Sequence, residues 1–198
     1  MIAAENTALV LLAAGKSTRF GGDHSKLDEP LAGHPLGLHA ALALAEIPFK
    51  ARVAVVSRCR IDYAAHGFAV IENHDRVGDM ASSLRLGVAR AQEEGATAIL
   101  VALADMPHIT AAQVRRLLDA ADGNDTVVAS ASSGAPPRPP ALFGRDLFAR
   151  LLSLTGDHGA RDLIRAGRQV EVSAAELIDI DTREDFDTLA RQTSSSRP

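Results

Sequence analysis

Residues 11–22 read Leu-Leu-Ala-Ala-Gly-Lys-Ser-Thr-Arg-Phe-Gly-Gly, and a lysine, Lys26, follows them. The segment at 8–12 is an apolar run long enough for a buried strand. A buried strand that ends in a loop of small, Gly-rich and basic residues directs backbone N–H groups and cations at one point, which is how proteins hold a polyphosphate. The stretch therefore predicts a strand followed by a phosphate-binding loop, named here the opening loop (residues 14–26).

The opening loop partly matches the P-loop of kinases and ATPases. Gly15, Lys16 and Ser17 resemble the end of the pattern G-x-x-x-x-G-K-[ST]. That pattern needs a glycine at position 10, where the chain has Val10, and residues 21–23 break the chain where a P-loop would enter a helix. A P-loop enzyme is therefore disfavoured. An ordinary glycine-rich connection between a strand and a helix remains open on these residues alone.

Composition restricts the class of protein. The chain has 198 residues, of which 46% are hydrophobic and 4% aromatic, which predicts one domain over residues 1–192 with a core of small aliphatic side chains. The Ser-rich residues 193–198 are expected to form a disordered tail. A formal net charge of −4 argues against a nucleic-acid or membrane-surface partner.

Cys59 is the one cysteine of the chain, which excludes an internal disulfide and a cysteine-based zinc site. The first residues contain no secretory signal, and no apolar run is long enough to span a membrane. We therefore expect a cytoplasmic protein.

Short Val/Ile/Leu-rich runs alternate with Ala-rich amphipathic stretches along the chain. This alternation predicts an α/β fold with a mostly parallel sheet covered by helices on both faces, whose ligands bind at the carboxyl ends of the strands. Strands are predicted at 8–13, 52–57, 68–71, 98–104, 125–130 and 169–172. Helices are predicted at 35–46, 82–94, 110–121, 144–153, 158–166 and 182–191, and residues 132–140 are predicted to form a loop.

Carboxylates follow the predicted strands at two places. Asp105 ends a buried strand, where an isolated carboxylate is unfavourable unless it binds a cation such as Mg²⁺. Asp179 and Asp181 alternate with apolar residues, and we choose Asp181 as a second ligand of the same metal. The alternative for each site is a carboxylate that caps the helix after it, near Thr110 or near Thr182.

Two further segments carry polar residues at predicted helix starts. Ser82 or Ser83 is a good N-cap residue, and the free amides there, together with Arg85, could bind a ribose, a base edge or a phosphate. Asp157 is a candidate N-cap residue with Arg161 four residues later. Both segments could equally be capped surface helices, with Asp157 and Arg161 as a local ion pair.

The motifs in this order resemble the MobA/MocA-like nucleotidyltransferases, most closely the molybdenum cofactor cytidylyltransferase branch. The similarity extends from about Leu9 to Leu189. The family opens with L-A-[AG]-G-x-S-x-R-[MF]-G and a later lysine, as at residues 12–21 and Lys26. It continues with Ser-Ser-Leu-Arg, L-x-D-M-P, L-x-G-D-x-G-A-R and D-I-D-T-x-E-D, as at residues 82–85, 103–107, 154–161 and 179–185.

The resemblance implies a three-layer Rossmann-like fold of the GT-A type with one antiparallel strand in the sheet. It implies that a phosphate on an acceptor attacks the α-phosphorus of a nucleoside triphosphate and that pyrophosphate leaves. Arg19, Lys26 and Asp105 would be catalytic, and Asp105 and Asp181 would hold Mg²⁺. The implied nucleotide-binding residues are Leu12, Ala13, Ala14, Gly15, Lys16, Ser17, Thr18, Ser82, Ser83 and Arg85. The implied acceptor-binding residues are Pro139, Pro140, Asp157 and Arg161.

Two details of the resemblance concern specificity. Ala14 followed by Gly15 is the form typical of the CTP-using branch, so CTP is favoured over GTP. Cytidylyltransferases of this kind often carry G-[HN]-P where this chain has Arg138-Pro139-Pro140. The ordered motifs and Ala14 support a first hypothesis, a cytidylyltransferase acting on molybdopterin with a molybdoenzyme as a further partner, whereas the departure at 138–140 motivates a non-catalytic alternative. A guanylyltransferase, another phosphorylated acceptor, or a non-catalytic molybdopterin-binding chaperone are the alternatives.

Overall fold

A seven-stranded sheet forms the centre of the protein, as seen in a computed structural model that describes residues 2–15, 17–21, 24–75, 80–156 and 158–195. The strands are β1 (Thr7–Ala13), β2 (Pro30–Leu31), β3 (His34–Pro35), β4 (Ala51–Val56), β5 (Ala69–Glu72), β6 (Ala98–Leu103), β7 (Val127–Ala131), β8 (Arg138–Gly144) and β9 (Arg168–Glu171). The α-helices are α1 (His39–Ala43), α2 (Met80–Glu93), α3 (Ala111–Ala120), α4 (Phe148–Leu152), α5 (His158–Ala166) and α6 (Arg183–Ser195). Short 3₁₀ helices lie at Ala4–Asn6, Lys26–Asp28, Leu36–Leu38, Ala64–His66, Arg145–Leu147 and Ala174–Leu177.

The strand order of the main sheet is β5-β4-β1-β6-β8-β7-β9, and β2 pairs with β3 in a separate hairpin. Strand β8 is antiparallel to both of its neighbours, whereas the other pairs of the main sheet are parallel. The prediction of a mostly parallel sheet with one antiparallel strand is therefore confirmed. Since β1, β4 and β6 are parallel, their carboxyl ends meet at one edge of the sheet.

Helices cover both faces of the sheet, as the three-layer prediction requires. Along β1 the side chains alternate: Leu9 and Leu11 face one core with α1 and α3, whereas Ala8 and Val10 face the other with α2, α4 and α5. Helix α2 packs closely because Gly87 has no side chain, and an added Cβ there would lie 2.3 Å from Val10 Cγ1. The middle of α2 is thereby held close to the middle of β1.

A third, smaller hydrophobic cluster joins the beginning of the chain to its last helix. Its buried members are Phe20, Leu31, Leu36, Ile180, Phe186 and Leu189. The rings of Phe20 and Phe186 meet edge to face with their centroids 6.0 Å apart, and the Arg183 guanidinium lies over both rings. Helix α6 is thus packed on the segment that contains the opening loop.

Several predicted boundaries are wrong. The predicted loop at 132–140 ends in β8, which begins at Arg138. Helix α2 begins at Met80 rather than at residue 82. Residues 193–195, expected in a disordered tail, continue helix α6, and residues 196–198 lie outside the described part. No described helix is long and apolar enough to cross a membrane.

Candidate functional site

The opening loop and Asp105 meet at the carboxyl edge of the sheet. The loop follows β1, Asp105 follows β6, and these strands are paired in parallel. The backbone N–H of Ala104 donates to the Leu12 carbonyl, which extends this pairing to the last residue before Asp105. Adjacent parallel strands therefore bring together groups that are far apart in the sequence.

Lys26 is the centre of a charged network. Its side chain is only 8% exposed, and Nζ lies 2.7 Å from Asp105 Oδ2, 2.5 Å from the Ile180 carbonyl oxygen and 3.3 Å from Asp181 Oδ1. Arg19, which is 73% exposed, reaches Asp181 Oδ2 at 3.1 Å. The sequence names these four charged residues as site residues, and the structure brings them together.

Backbone contacts hold this network in place. The N–H of Lys26 donates to Ser17 Oγ at 3.1 Å, and Lys26 begins a short 3₁₀ helix that the Ser25 hydroxyl caps. The N–H of Ile180 donates to the Asp105 carbonyl at 3.0 Å, which places the segment before α6 beside the end of β6. Lys26 and both carboxylates are therefore fixed by main-chain as well as side-chain contacts.

Neither carboxylate acts as a helix cap. Thr110 caps α3, since its hydroxyl accepts the N–H of Gln113. At the start of α6 the Asp185 carboxylate accepts the N–H groups of Asp181 and Thr182. These contacts hold the pKa of Asp185 below its usual value, chiefly through the Thr182 side chain. The carboxylates of Asp105 and Asp181 therefore contact the cationic side chains of Lys26 and Arg19 instead.

Asp105 combines burial with an unused oxygen. Burial is the main cause that raises the pKa of this carboxyl; the Lys26 ammonium lowers it, and the charges of Asp179 and Asp181 raise it further. Asp105 Oδ1 is buried and has no hydrogen-bond partner within the described part of the chain. A carboxylate in this state is stabilised by an additional cation.

These residues fit a magnesium ion. Carboxylate oxygens suit this hard cation, and Mg²⁺ bound with a nucleotide needs only one or two carboxylates because phosphates and waters supply the other ligands. Asp105 and Asp181 both lie within 3.3 Å of the same ammonium nitrogen. Across the residues that the structure describes, no three His, Cys, Asp or Glu side chains are grouped closely enough to hold a metal without phosphate or water ligands.

A cleft of about 260 Å³ opens above this network and is named here the signature cleft. Its lining residues come from β1, the opening loop, the 3₁₀ helix Lys26–Asp28, α2, the end of β6 and α5: Leu12, Ala14, Gly15, Arg19, Lys26, Leu27, Met80, Ser83, Leu103, Asp105 and Arg161. A Cβ added to Gly15 would meet no atom within 4 Å, so the glycine leaves space in the cleft rather than in the core.

A second cleft of about 300 Å³ adjoins the first and is named here the proline cleft. The two share Met80, Leu103 and Arg161. The other residues that line the proline cleft are Met106, Pro136, Pro137, Arg138, Pro139, Ala160, Ile164, Arg165 and Asp179. Arg161 therefore stands where a ligand of one cleft would meet a ligand of the other.

Some predicted site residues lie elsewhere. Arg85 donates to the Leu154 carbonyl and lines neither cleft. The Pro140 carbonyl accepts from the Ser130 hydroxyl in the buried sheet. Thr18 is exposed. Lys16 and Asp157 lie outside the described residues.

The structure also corrects the role of the two serines. The sequence predicts Ser82 or Ser83 as the N-cap residue of this helix, but α2 begins at Met80, so both lie inside the first turn. The Asn73 amide donates to both hydroxyls at 2.8 Å and is buried between them. Ser83 lines the signature cleft, so Asn73, which sequence reasoning missed, positions its hydroxyl there.

Arg138 is a second residue that sequence reasoning missed as a site residue. Its guanidinium contacts Asp179 across the proline cleft at 3.1 Å. The one signal in the sequence is an arginine among the prolines before residues 142–145, where similar proteins often have glycine.

Comparison with known proteins agrees with this geometry. The family model for the MobA-like NTP transferase domain matches residues 9–172. The purine catabolism protein PucB of Bacillus subtilis is 32% identical over 203 residues, which cover 93% of this chain and 96% of that protein. The bifunctional protein GlmU of Rhizobium rhizogenes is 32% identical over 202 residues, 97% of this chain but only 43% of its own length. The chain thus spans less than half of GlmU.

Solved structures share the fold. A homologue of Mycobacterium tuberculosis Rv0371c from Mycobacterium sp. strain JC1 has a TM-score of 0.81 at 24% identity, covering 98% of this chain and 99% of that one. A nucleotidyl transferase from Methanothermobacter, Mth528, has a TM-score of 0.76 at 23% identity, covering 96% and 99%. A structure of Rv0371c in complex with manganese has a TM-score of 0.73 at 23% identity, covering 94% and 98%. From its matched family and its relatives, the chain belongs to the MobA-like NTP transferase domain family of nucleotidyltransferases.

Proposed function

We propose that the protein is a Mg²⁺-dependent cytidylyltransferase that transfers CMP from CTP to the phosphate of molybdopterin and releases pyrophosphate. The observation that carries this proposal is that two clefts share a wall at Arg161, and that one of them is lined by Lys26 and Asp105, which form a charged network with Asp181. A triphosphate in the signature cleft and a phosphorylated acceptor in the proline cleft would meet beside that network.

In the reaction, an oxygen of the acceptor phosphate forms a bond to the α-phosphorus, and the bond from the α-phosphorus to the bridging oxygen of pyrophosphate breaks. The electron pair leaves with pyrophosphate. Such transfers depend on positioning and charge stabilisation rather than on a protein nucleophile. Lys26 and Arg19 would neutralise charge on the triphosphate, and Arg161 would neutralise charge on the incoming phosphate.

Asp105 and Asp181 would hold the magnesium ion. The ion supplies charge stabilisation at the transferring phosphoryl group. The unpaired Asp105 Oδ1 supports this assignment. The manganese complex of the structural relative Rv0371c is further support for a divalent cation.

The nucleotide preference rests on the wall of the signature cleft. Ala14 lines this cleft, and its methyl group would narrow the space for a purine. The Ser83 hydroxyl accepts from Asn73 and keeps its own proton for a base or ribose oxygen. The acceptor assignment rests on the ordered motifs at 154–161 and 179–185, which resemble those of molybdopterin cytidylyltransferases.

The complete charged network argues for catalysis rather than for a non-catalytic chaperone. A chaperone would need to bind molybdopterin but would not need Lys26, Asp105 and Asp181 beside the shared wall.

The test is pyrophosphate release from each of the four nucleoside triphosphates, with Mg²⁺ and molybdopterin. We expect turnover with CTP, slower turnover with GTP, and none after chelation of the metal. Preference for GTP would assign the guanylyl branch instead. Turnover with another phosphorylated acceptor but not with molybdopterin would overturn the acceptor assignment, and binding of molybdopterin without any turnover would favour the chaperone.

A further inference from the structure

The proline cleft contains an ion pair that the transfer reaction does not use. Arg138 begins β8, and Asp179 lies in the segment before α6. Their side chains are 37% and 41% exposed, and both line the proline cleft but not the signature cleft. The pair is therefore open to a ligand at a place away from the Lys26 network.

In the part of the chain that the structure describes, the pair offers free hydrogen-bond donors of Arg138 beside a free acceptor oxygen of Asp179. Arg138 uses only Nη1, which contacts the Leu177 carbonyl at 3.3 Å and Asp179 Oδ1 at 3.1 Å. Within the described residues, Arg138 Nε and Nη2 and Asp179 Oδ2 make no hydrogen bond. An arginine fork next to a carboxylate offers N–H donors and an oxygen acceptor side by side.

The rest of the cleft suits a flat, apolar body. Prolines 136, 137 and 139 line one part, and Met80, Met106 and Ile164 line others. Proline rings and methionine side chains give an apolar surface to a ring system. A ring held there would meet the Arg138–Asp179 pair at one edge, and this pair is the place in the cleft lining that offers a carboxylate acceptor beside arginine donors.

The charge of the pair argues against a second phosphate at this place. Asp179 would repel a dianion beside it, and its carboxylate balances the guanidinium. A second arginine of the same cleft, Arg165, lies 3.6 Å from Asp162 of its own helix and pairs with no cleft carboxylate among the described residues. A neutral edge with one C=O and one N–H matches the Arg138–Asp179 pair better than an anion does.

We propose that the Arg138–Asp179 pair binds the cyclic amide edge of a flat heterocyclic acceptor, with Arg138 donating to the ring carbonyl and Asp179 accepting from the ring N–H. This inference rests on the proposed function, because it assigns the end of the acceptor that lies away from the transferring phosphate. Arg138 and Asp179 would then determine which acceptor is used, without taking part in the transfer itself.

The experiment uses the full chain with CTP and Mg²⁺ and measures the Kd of pterin, a heterocycle with such an edge and no phosphate, by quenching of its fluorescence. The matched ligand is 3-methylpterin, which keeps the ring and loses the N–H. We expect pterin to bind at least tenfold more tightly than 3-methylpterin.

The variants are Arg138→Lys, Asp179→Asn and, as the matched control, Arg165→Gln. Arg138→Lys keeps the charge but loses the planar fork. We expect each of the first two variants to weaken pterin binding at least tenfold, and Arg165→Gln to change it less than twofold. Thermal stability and the Kd of CTP should be unchanged in all three, which separates a binding role from a structural one.

Three results would overturn this inference. They are equal binding of pterin and 3-methylpterin, equal losses of pterin affinity in Arg138→Lys and Arg165→Gln, and displacement of pterin by inorganic phosphate. A wild-type protein that binds CTP and releases pyrophosphate with a sugar phosphate but does not bind pterin would also overturn it. If pterin binds as expected and no pyrophosphate is released with CTP and molybdopterin, the proposed function fails while this subsite stands.

Discussion

The signature cleft and the proline cleft share a wall, but they are built differently. The signature cleft is lined by a lysine, an arginine and a carboxylate that join in one network on two strand ends. The proline cleft is lined mainly by apolar side chains around one ion pair, on β8 and the segment before α6. The signature cleft has the charges that a transfer at phosphorus needs, whereas the proline cleft has an apolar lining and one pair of hydrogen-bonding groups, Arg138 and Asp179.

We infer from this difference that the signature cleft carries out the transfer and the proline cleft selects the acceptor. Changes in the signature cleft should alter the rate or nucleotide affinity with every acceptor, whereas changes in the proline cleft should alter which acceptor is used. A signature-cleft variant that changed the reaction with one acceptor only would contradict this division of roles.

The largest effect is expected for Asp105→Asn. Loss of a metal ligand removes several kcal/mol of charge stabilisation, on the order of a 10³-fold fall in kcat/KM. The folded protein should stay close to wild type in stability, because the charged carboxylate is unfavourable at this site and Lys26 keeps Asp181 and the Ile180 carbonyl as partners. Pyrophosphate release and thermal unfolding measure the two quantities. Asp187→Asn, which changes an exposed carboxylate of α6, is the control and should alter neither.

Lys26→Met should lower both activity and stability. The substitution leaves Asp105 and the Ile180 carbonyl without their shared donor. Breaking a buried charge pair in this way costs about 3 kcal/mol, and the rate should fall roughly 100-fold. Arg19→Met is the comparison, because Arg19 is exposed: we expect a smaller loss of rate and an unchanged Tm. Equal thermal stability of Lys26→Met and wild type would contradict the network described here.

The pH dependence of stability should identify Asp105. Its folded pKa lies above its unfolded value, so the folded state binds more protons between these two pKa values and stability falls as the pH rises through that window. The slope from one such group is at most about 1.4 kcal/mol per pH unit. Denaturant unfolding in EDTA should show wild type losing stability relative to Asp105→Asn as the pH rises from 4 toward neutrality. A constant difference would contradict the raised pKa.

Gly15→Ala should weaken CTP binding about tenfold without loss of stability, because the added Cβ occupies ligand space and meets no protein atom. Gly87→Ala makes the opposite comparison. Its Cβ would overlap Val10, so it should cost about 1–3 kcal/mol of stability. Calorimetric CTP titration and thermal unfolding of both variants separate the two kinds of glycine. A large stability loss in Gly15→Ala would show that the loop space is structural.

The smallest effect is expected for Ala14→Gly. Removing one methyl group from the wall should reduce the CTP-over-GTP ratio of kcat/KM about fivefold. The ratio should change equally with molybdopterin and with any other acceptor that is used. An unchanged ratio would mean that Ala14 does not contact the base.

The main parallel strands and the charged network could be predicted because their signals are local or follow from topology. The apolar run before Ala14 and the glycines after it mark the end of a strand, and a second strand ends at Asp105. Lys26 and Asp105 are 79 residues apart, yet parallel pairing of β1 and β6 brings both to one edge. Asp181 could be predicted from its alternation with apolar residues just before a helix.

The rest depends on contacts that no local pattern encodes. Pro139 and Pro140 suggest a loop, but they lie where the register between β7 and β8 shifts, so their missing N–H groups interrupt no regular ladder. Arg138 and Asp179 are 41 residues apart and meet only once β8 is placed. Asn73 is a polar residue after a strand, and its role emerges only from its burial against the first turn of α2.

The cluster around Phe20 has a consequence for synthesis of the protein on the ribosome. The family match ends at residue 172, but Asp181 and Phe186 lie beyond it, and they contact Arg19 and Phe20 of the opening loop. A nascent chain that has emerged only to residue 172 has the strands and the opening loop, but lacks the counter-charge of Arg19 and the aromatic wall of Phe20. The charged centre is therefore completed only after residues 173–186 have been translated, so a product truncated at residue 172 would carry the opening loop without a finished site.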